Sequence, residues 1–195
     1  TARAISFRNR DPRAPIYPNS QWQTGFIGDD YRWLDGDGMG GRNQDARTRF
    51  FYMATVNTPA MALKMVGVGS QYAIISADKD GGDLDGACTY RLNIPANAPA
   101  KDFWSVVVYD PQTRSELQTS QPFPSKNNQR DQLIANTDGS VNLYFGPQPP
   151  TGQEPNWIAT VPGKGWFAIF RLYGPLEPWF DKTWQPGEIE LVHSD

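Results

Sequence analysis

The sequence is poor in the residues on which most site chemistry is built. Its 195 residues include one cysteine, Cys88, and one histidine, His193. A single cysteine excludes a disulfide within the chain and a thiolate metal cluster. Cys88 sits in a strand-like run and reads as a small buried hydrophobe. A single histidine excludes a zinc site built from several imidazoles. It also leaves a serine nucleophile only a near-terminal base, and no Gly-x-Ser-x-Gly elbow occurs.

An excess of one charge is missing too. With 18 basic against 21 acidic residues the net charge is -3 and the pI near 5.2. Nothing there draws the chain to phosphate backbones or anionic lipid, so nucleic acid is not an expected partner. No run approaches the roughly 18 apolar residues of a membrane span. Residues 1–10 hold neither an initiator Met nor the apolar core of a signal peptide, which suggests a mature or trimmed chain. The expectation is a soluble protein of open compartment, periplasmic or secreted location after removal of a signal being compatible with it.

What is present is a globular composition rich in turns: 38% hydrophobic and 13% aromatic residues, with 18 Gly and 17 Pro. A chain of this length buries about 70% of its unfolded surface, enough for a self-sufficient core. Residues 1–44 read as an extended arm rich in Gly and aromatics, among them Tyr17, Trp22, Phe26, Tyr31 and Trp33, packed on something. Residues 45–195 read as one domain.

Asn43 to about Asn57 has helical spacing with a capping Asn43 or Asp45, and Pro59 to Met65 suits a second turn. The period then changes to two. Strands are expected at Gln71 to Ala77, Cys88 to Ile94, Phe103 to Tyr109, Val141 to Phe145 and Trp166 to Tyr173. Weaker ones are expected at Leu133 to Ala135, Trp157 to Thr160 and Ile189 to Val192. Asp80-Gly81-Gly82 and Asp138-Gly139 supply hairpin turns, and Gly146-Pro147 and Gly174-Pro175 end strands. The pattern predicts a mainly β chain, a β-sandwich or barrel with one or two short helices near its N-terminal side.

Several ordered motifs then carry a resemblance: Gly67-Val68-Gly69-Ser70-Gln71-Tyr72, Leu84-Asp85-Gly86, Pro99-Ala100-Lys101-Asp102-Phe103-Trp104-Ser105, Tyr109-Asp110, Tyr144-Phe145-Gly146-Pro147, Asn156-Trp157, Gly163-Lys164-Gly165-Trp166, Arg171-Leu172-Tyr173-Gly174-Pro175 and Thr183-Trp184. Over about residues 45 to 192 the chain resembles the bacterial family catalogued as domain of unknown function 1214. The resemblance implies a jelly-roll-like antiparallel β-sandwich placed behind a β-rich partner catalogued as domain of unknown function 1254. It brings no assigned reaction and no catalytic residues. That partner is not in this sequence, so a separate N-terminal domain or other subunits are the expected partners.

Three constellations compete with plainer readings. Asp78, Asp80, Asp83 and Asp85 crowd one Gly-rich loop and could hold calcium, although no EF-hand Glu follows and Lys79 intrudes; an ordinary acidic hairpin is the plainer and favoured reading. No other cofactor is expected. Trp104, Trp157, Trp166, Trp179 and Trp184 could form a stacking platform for sugars, with Trp166 in an apolar run suited to the core and Trp179 and Trp184 expected to be exposed or at an interface. Arg171, in an otherwise apolar strand, invites a carboxylate such as Asp102, Asp110 or Glu177. Alternatively it clamps an anion with Lys101, Tyr109 and Tyr173. The reading is a non-catalytic binding or assembly module. The alternatives are a hydrolase or lyase-type enzyme with a carboxylate and Arg171 pocket, and a calcium-bearing carbohydrate-binding module.

Overall fold

The computed structural model describes residues 11–35, 39–54 and 56–192, so His193 and residues 1–10 lie outside the described residues. Eight strands form two four-stranded sheets. In the first, β1 (Ser70–Ile75), β7 (Phe167–Pro175), β3 (Ala100–Tyr109) and β4 (Ser125–Asn127) lie in that spatial order. In the second the order is β6 (Trp157–Ala159), β5 (Val141–Gly146), β2 (Tyr90–Ile94) and β8 (Ile189–Leu191).

Alternation explains the sandwich. In β7 Ala168, Phe170 and Leu172 join Trp104, Val106 and Val108 of β3 and Leu92, Leu143 and Phe145 of the second sheet in one core. The residues between them, Phe167, Ile169, Arg171 and Tyr173, therefore face the other way. Phe170 is the hub of the aromatic packing, with ring centroids of Trp184 at 5.8 Å, Trp104 at 6.1 Å, Trp22 at 6.3 Å and Trp179 at 6.5 Å.

A second apolar layer covers part of the outer face of the first sheet. Helix α1 (Gln44–Met53) is capped by Asn43, whose Oδ1 accepts the Ala46 N–H at 2.9 Å. Its Ala46, Phe50 and Met53 share one face and pack with Ile74 and Phe167 of the sheet and Phe26 and Trp33 of the arm. A short helix α2 (Pro59–Ala62) follows, and α3 (Glu177–Phe180) comes after β7.

The arm is part of this packing. Trp22 is fully buried and its indole N–H donates to Gly187 O at 2.8 Å. Gln23 exchanges two backbone hydrogen bonds with Ile74, which closes the exposed edge of β1. Arg49 of α1, 4% exposed, ties the arm down by donating to Thr24 O at 2.9 Å and Gln23 Oε1 at 2.7 Å. Burial pulls its pKa down to about 10.

Two expectations need correction. The sandwich is not wholly antiparallel, because β5 and β6 pair in parallel. Residues 147–156 carry Pro147, Pro149, Pro150 and Pro155, which cannot build a tight hairpin, so the chain re-enters the sheet in the same direction. Leu133 to Ala135 makes only an isolated bridge, Ala135 to Val141, whereas Ser125–Asn127, without any β-like pattern, is recruited by pairing with β3.

Candidate functional site

Antiparallel pairing puts the end of β1, the end of β3 and the start of β7 at one edge of the sandwich. The segments leaving those ends enclose a cleft of about 510 Å³, with Leu84, Pro111, Trp166 and Phe167 giving an apolar side and Asp110 and Lys164 a polar one. Such a shape, apolar with few convergent polar groups, is what small-molecule sites have in common.

The polar side is fixed by its backbone. Asp110 Oδ1 accepts the N–H groups of Gln112 at 2.7 Å and Thr113 at 3.2 Å, and Oδ2 accepts Lys164 Nζ at 3.1 Å. The Asp110 side chain is 8% exposed and that of Lys164 49%, so the ammonium reaches solvent while the carboxylate does not. Burial pushes the Asp110 pKa up, and the hydrogen bonds from Gln112, Lys164 and Thr113 outweigh it, leaving the group below the usual carboxylate value. A depressed folded pKa gives stability that is present above the unfolded value near pH 4 and is lost as pH falls through the folded one. Urea midpoints compared at pH 6 and pH 3 should therefore fall more for the wild type than for Asp110→Asn.

The apolar side is part of the core. Trp166 is 2% exposed, stacks on Phe145 at 4.8 Å and meets Tyr90 edge-on at 5.7 Å. Its backbone N–H donates to Leu84 O at 3.2 Å, yet its indole Nε1 is buried with no hydrogen-bond acceptor. A buried N–H without a partner costs about 1–3 kcal/mol and calls for an acceptor. Below it Gly86 donates to Lys164 O at 2.9 Å, holding the loop before β7 against the loop before β2.

The structure scatters the residues expected to form a site. Arg171, Tyr109 and Tyr173 do share the outer face of the first sheet. Among the described residues Arg171 pairs with no carboxylate, so the ion pair expected with Asp102, Asp110 or Glu177 does not form. Its guanidinium lies 4.3 Å from the centroid of Tyr173 and 5.0 Å from that of Tyr72, donates to Ser70 Oγ at 3.3 Å, and leaves Nε without a partner. The cross-strand partner of Arg171 is Tyr72, so the tyrosine faces take the place of an acid. Tyr109 stacks on Phe167 at 5.3 Å, and burial pushes its phenol pKa up. Lys101 and Asp102 lie at the irregular start of β3 against Gly174.

Trp179 and Trp184 are buried within the chain, at 2% and 9% exposure, where the sequence suggested exposure or an interface. Trp104 and Trp166 are buried with them, so these four rings form a core and not an open platform. In the loop weighed for calcium, Asp80, Asp83 and Asp85 are exposed, while Asp78 and Asp85 are engaged by nearby backbone. Asp78 Oδ1 accepts the N–H groups of Asp80 at 3.0 Å and Gly82 at 2.8 Å, Asp85 Oδ1 accepts that of Ala87, and Asp83 lines the cleft. Among the described residues no three His, Cys, Asp or Glu side chains gather as a metal-binding group. No helix among them is long and apolar enough to cross a membrane.

The profile of the family described as Protein of unknown function (DUF1214) matches residues 69–177. The chain belongs to this family. Every residue that lines the cleft falls inside the matched segment. Among solved structures, the VPA0106 protein from Vibrio parahaemolyticus is 25% identical with a TM-score of 0.58, over 85% of this chain and 40% of its own. An uncharacterized protein from Burkholderia cenocepacia is 17% identical with a TM-score of 0.38, over 86% of this chain and 48% of its own. The chain thus spans less than half the length of either protein. No curated protein matches it.

Leu84, Asp110 and residues Gly163 to Trp166, which belong to three separate motifs of the sequence, meet at the cleft, a convergence that single-residue reasoning missed. The available clue was positional for two of them: Asp110 follows the end of β3 and Trp166 precedes the start of β7.

Proposed function

We propose that this domain is a non-catalytic binding module whose ligand is a small organic molecule seated in the Trp166 cleft. The observation that supports it is the cleft itself, about 510 Å³, with Leu84, Pro111, Trp166 and Phe167 on one side and Asp110 and Lys164 on the other. A ligand with an apolar body suits the first side and an acceptor group suits the second. Lys164, half exposed beside its Asp110 partner, adds a cation at the mouth that favours a carboxylate.

The binding half of a binding-or-assembly reading is the one that this geometry supports. An enzyme reading would draw on Arg171, a carboxylate and a base meeting in one pocket. Arg171 lies among tyrosines on the sheet face, and the cleft offers the lysine–aspartate pair alone as its charged couple alongside Asp83.

Benzoate and toluene make a suitable probe pair, since they share a ring and differ in the acceptor. Tryptophan fluorescence or calorimetric titration should show benzoate binding more tightly than toluene. Lys164→Gln removes the exposed cation beside the cleft and should weaken benzoate roughly tenfold, as expected for one hydrogen bond to a charged group. Benzoate that binds wild type and Lys164→Gln alike, or not at all, would sink the proposal.

A further inference from the structure

Near the start of β1, whereas the Trp166 cleft lies past its end, the turn after α3 meets the arm. A cleft of about 270 Å³ opens there, lined among others by Lys182, Lys64, Arg13, Tyr72, Trp179 and Phe180. Three of these side chains are cationic, and two are already matched. Lys64 Nζ meets Asp29 Oδ2 at 2.6 Å, and Arg13 meets Asp11 at 2.8 Å and Asp35 at 3.2 Å. Lys182 has no such partner among the described residues. Its Nζ stands 5.0 Å from the centroid of Trp179 and 5.4 Å from that of Tyr17, on the rings rather than against a carboxylate.

The backbone holds it there deliberately. Lys182 has φ +66°, in the left-handed region that favours glycine. Asp181 fixes the turn by accepting the Thr183 N–H at 2.9 Å and its hydroxyl at 2.7 Å, which also engages the nearest carboxylate on the same turn. A non-glycine residue kept in this conformation by its surroundings is a feature that recurs at ligand clamps.

We infer that this cleft is a second site, for a small oxyanion held by Lys182 and Lys64 with the Tyr72 and Trp179 side chains beside it. The groups that face Lys182 are the cations Lys64 and Arg13, the acids Asp29 and Asp181, and the neutral Gln71 and Thr24. Burial, and next the nearby Lys64 charge, pull the Lys182 pKa below the ordinary lysine value. An oxyanion between the two ammonium groups removes both penalties at once and takes the hydrogen bonds that the rings cannot accept. A phosphate and an organic dicarboxylate present the same chemistry to this cleft, so both are tested.

Calorimetric titration of the whole chain at low salt with inorganic phosphate and, separately, succinate is the experiment. One or both should bind with a dissociation constant below about 10 mM. Lys182→Gln should weaken binding roughly tenfold or more, Lys182→Arg should retain it, and Lys64→Gln should weaken it a few-fold. Lys164→Gln should bind the anion like the wild type, so this site and the Trp166 cleft succeed or fail separately. If Lys182→Gln proves unfolded by circular dichroism, Lys64→Gln and Lys182→Arg decide. No binding of either anion, or equal binding by wild type and the lysine-to-glutamine variants, overturns the inference.

Discussion

Gly86→Ala is expected to abolish folding or to lower stability by more than about 4 kcal/mol. A Cβ at this position would lie 2.2 Å from Val161 O and 2.8 Å from Lys164 O, both backbone atoms with no freedom to rotate away. The close approach is what lets Gly86 N–H reach Lys164 O and lets the Thr160 hydroxyl donate to Gly86 O at 2.8 Å. Pushing the strands apart would break both bonds and open the Trp166 cleft at its base. Gly41 is the control, since nothing lies within 4 Å of its notional Cβ, and Gly41→Ala should change stability by less than about 0.5 kcal/mol. Urea denaturation followed by far-UV circular dichroism compares the two. A Gly86→Ala protein with the wild-type midpoint would mean that the packing of these loops is looser than described.

Phe170→Ala should cost about 3–5 kcal/mol. Phe170 is fully buried and its ring meets four tryptophans from four separate stretches of chain, the arm, β3, α3 and the segment before β8. Truncation removes the common contact and leaves a cavity that rigid indoles cannot collapse into. Tryptophan emission should shift to longer wavelength together with the fall in midpoint. Phe123→Ala, at a residue 59% exposed, should cost under about 1 kcal/mol. Equal losses at the two positions would contradict the central role of Phe170.

The elements were legible where alternation is strong. Val106, Val108, Phe170 and Leu172 alternate with outward residues, so β3 and β7 follow from period two alone. The cap at Asn43 and the apolar spacing of α1 were equally plain, although the helix ends at Met53 and not at Asn57. The exposure of Trp179 and Trp184 was misread because their neighbours Pro178, Asp181, Lys182 and Pro186 are polar or turn-forming. Local polarity says where the backbone runs, whereas the rings are placed by distant partners, such as Ala96 O for Trp184 Nε1 at 3.2 Å.

The site was less legible because it depends on register. That Arg171 lies opposite Tyr72 follows from the pairing of β1 with β7, strands about a hundred residues apart, and no local pattern encodes that offset. The same holds for the Trp166 cleft, whose Leu84, Asp110 and Lys164 come from three loops joined only when the first sheet closes. Lys182 went unnoticed for a different reason: a lysine beside an aspartate reads as solvated, and neither its backbone conformation nor its seat on two rings is visible in composition.

The place of β7 between β1 and β3 has a consequence for how the protein is made. Those two strands touch through β7 alone, and β7 ends at Pro175. During synthesis, β1 and β3 emerge early and wait with open edges until more than fifty further residues have left the ribosome. Unpaired apolar edges held open for that long are what chaperones bind and what aggregates grow from. Acquisition of the native state by this domain should therefore be slow, limited by the arrival and insertion of one late strand into a gap that has been kept for it.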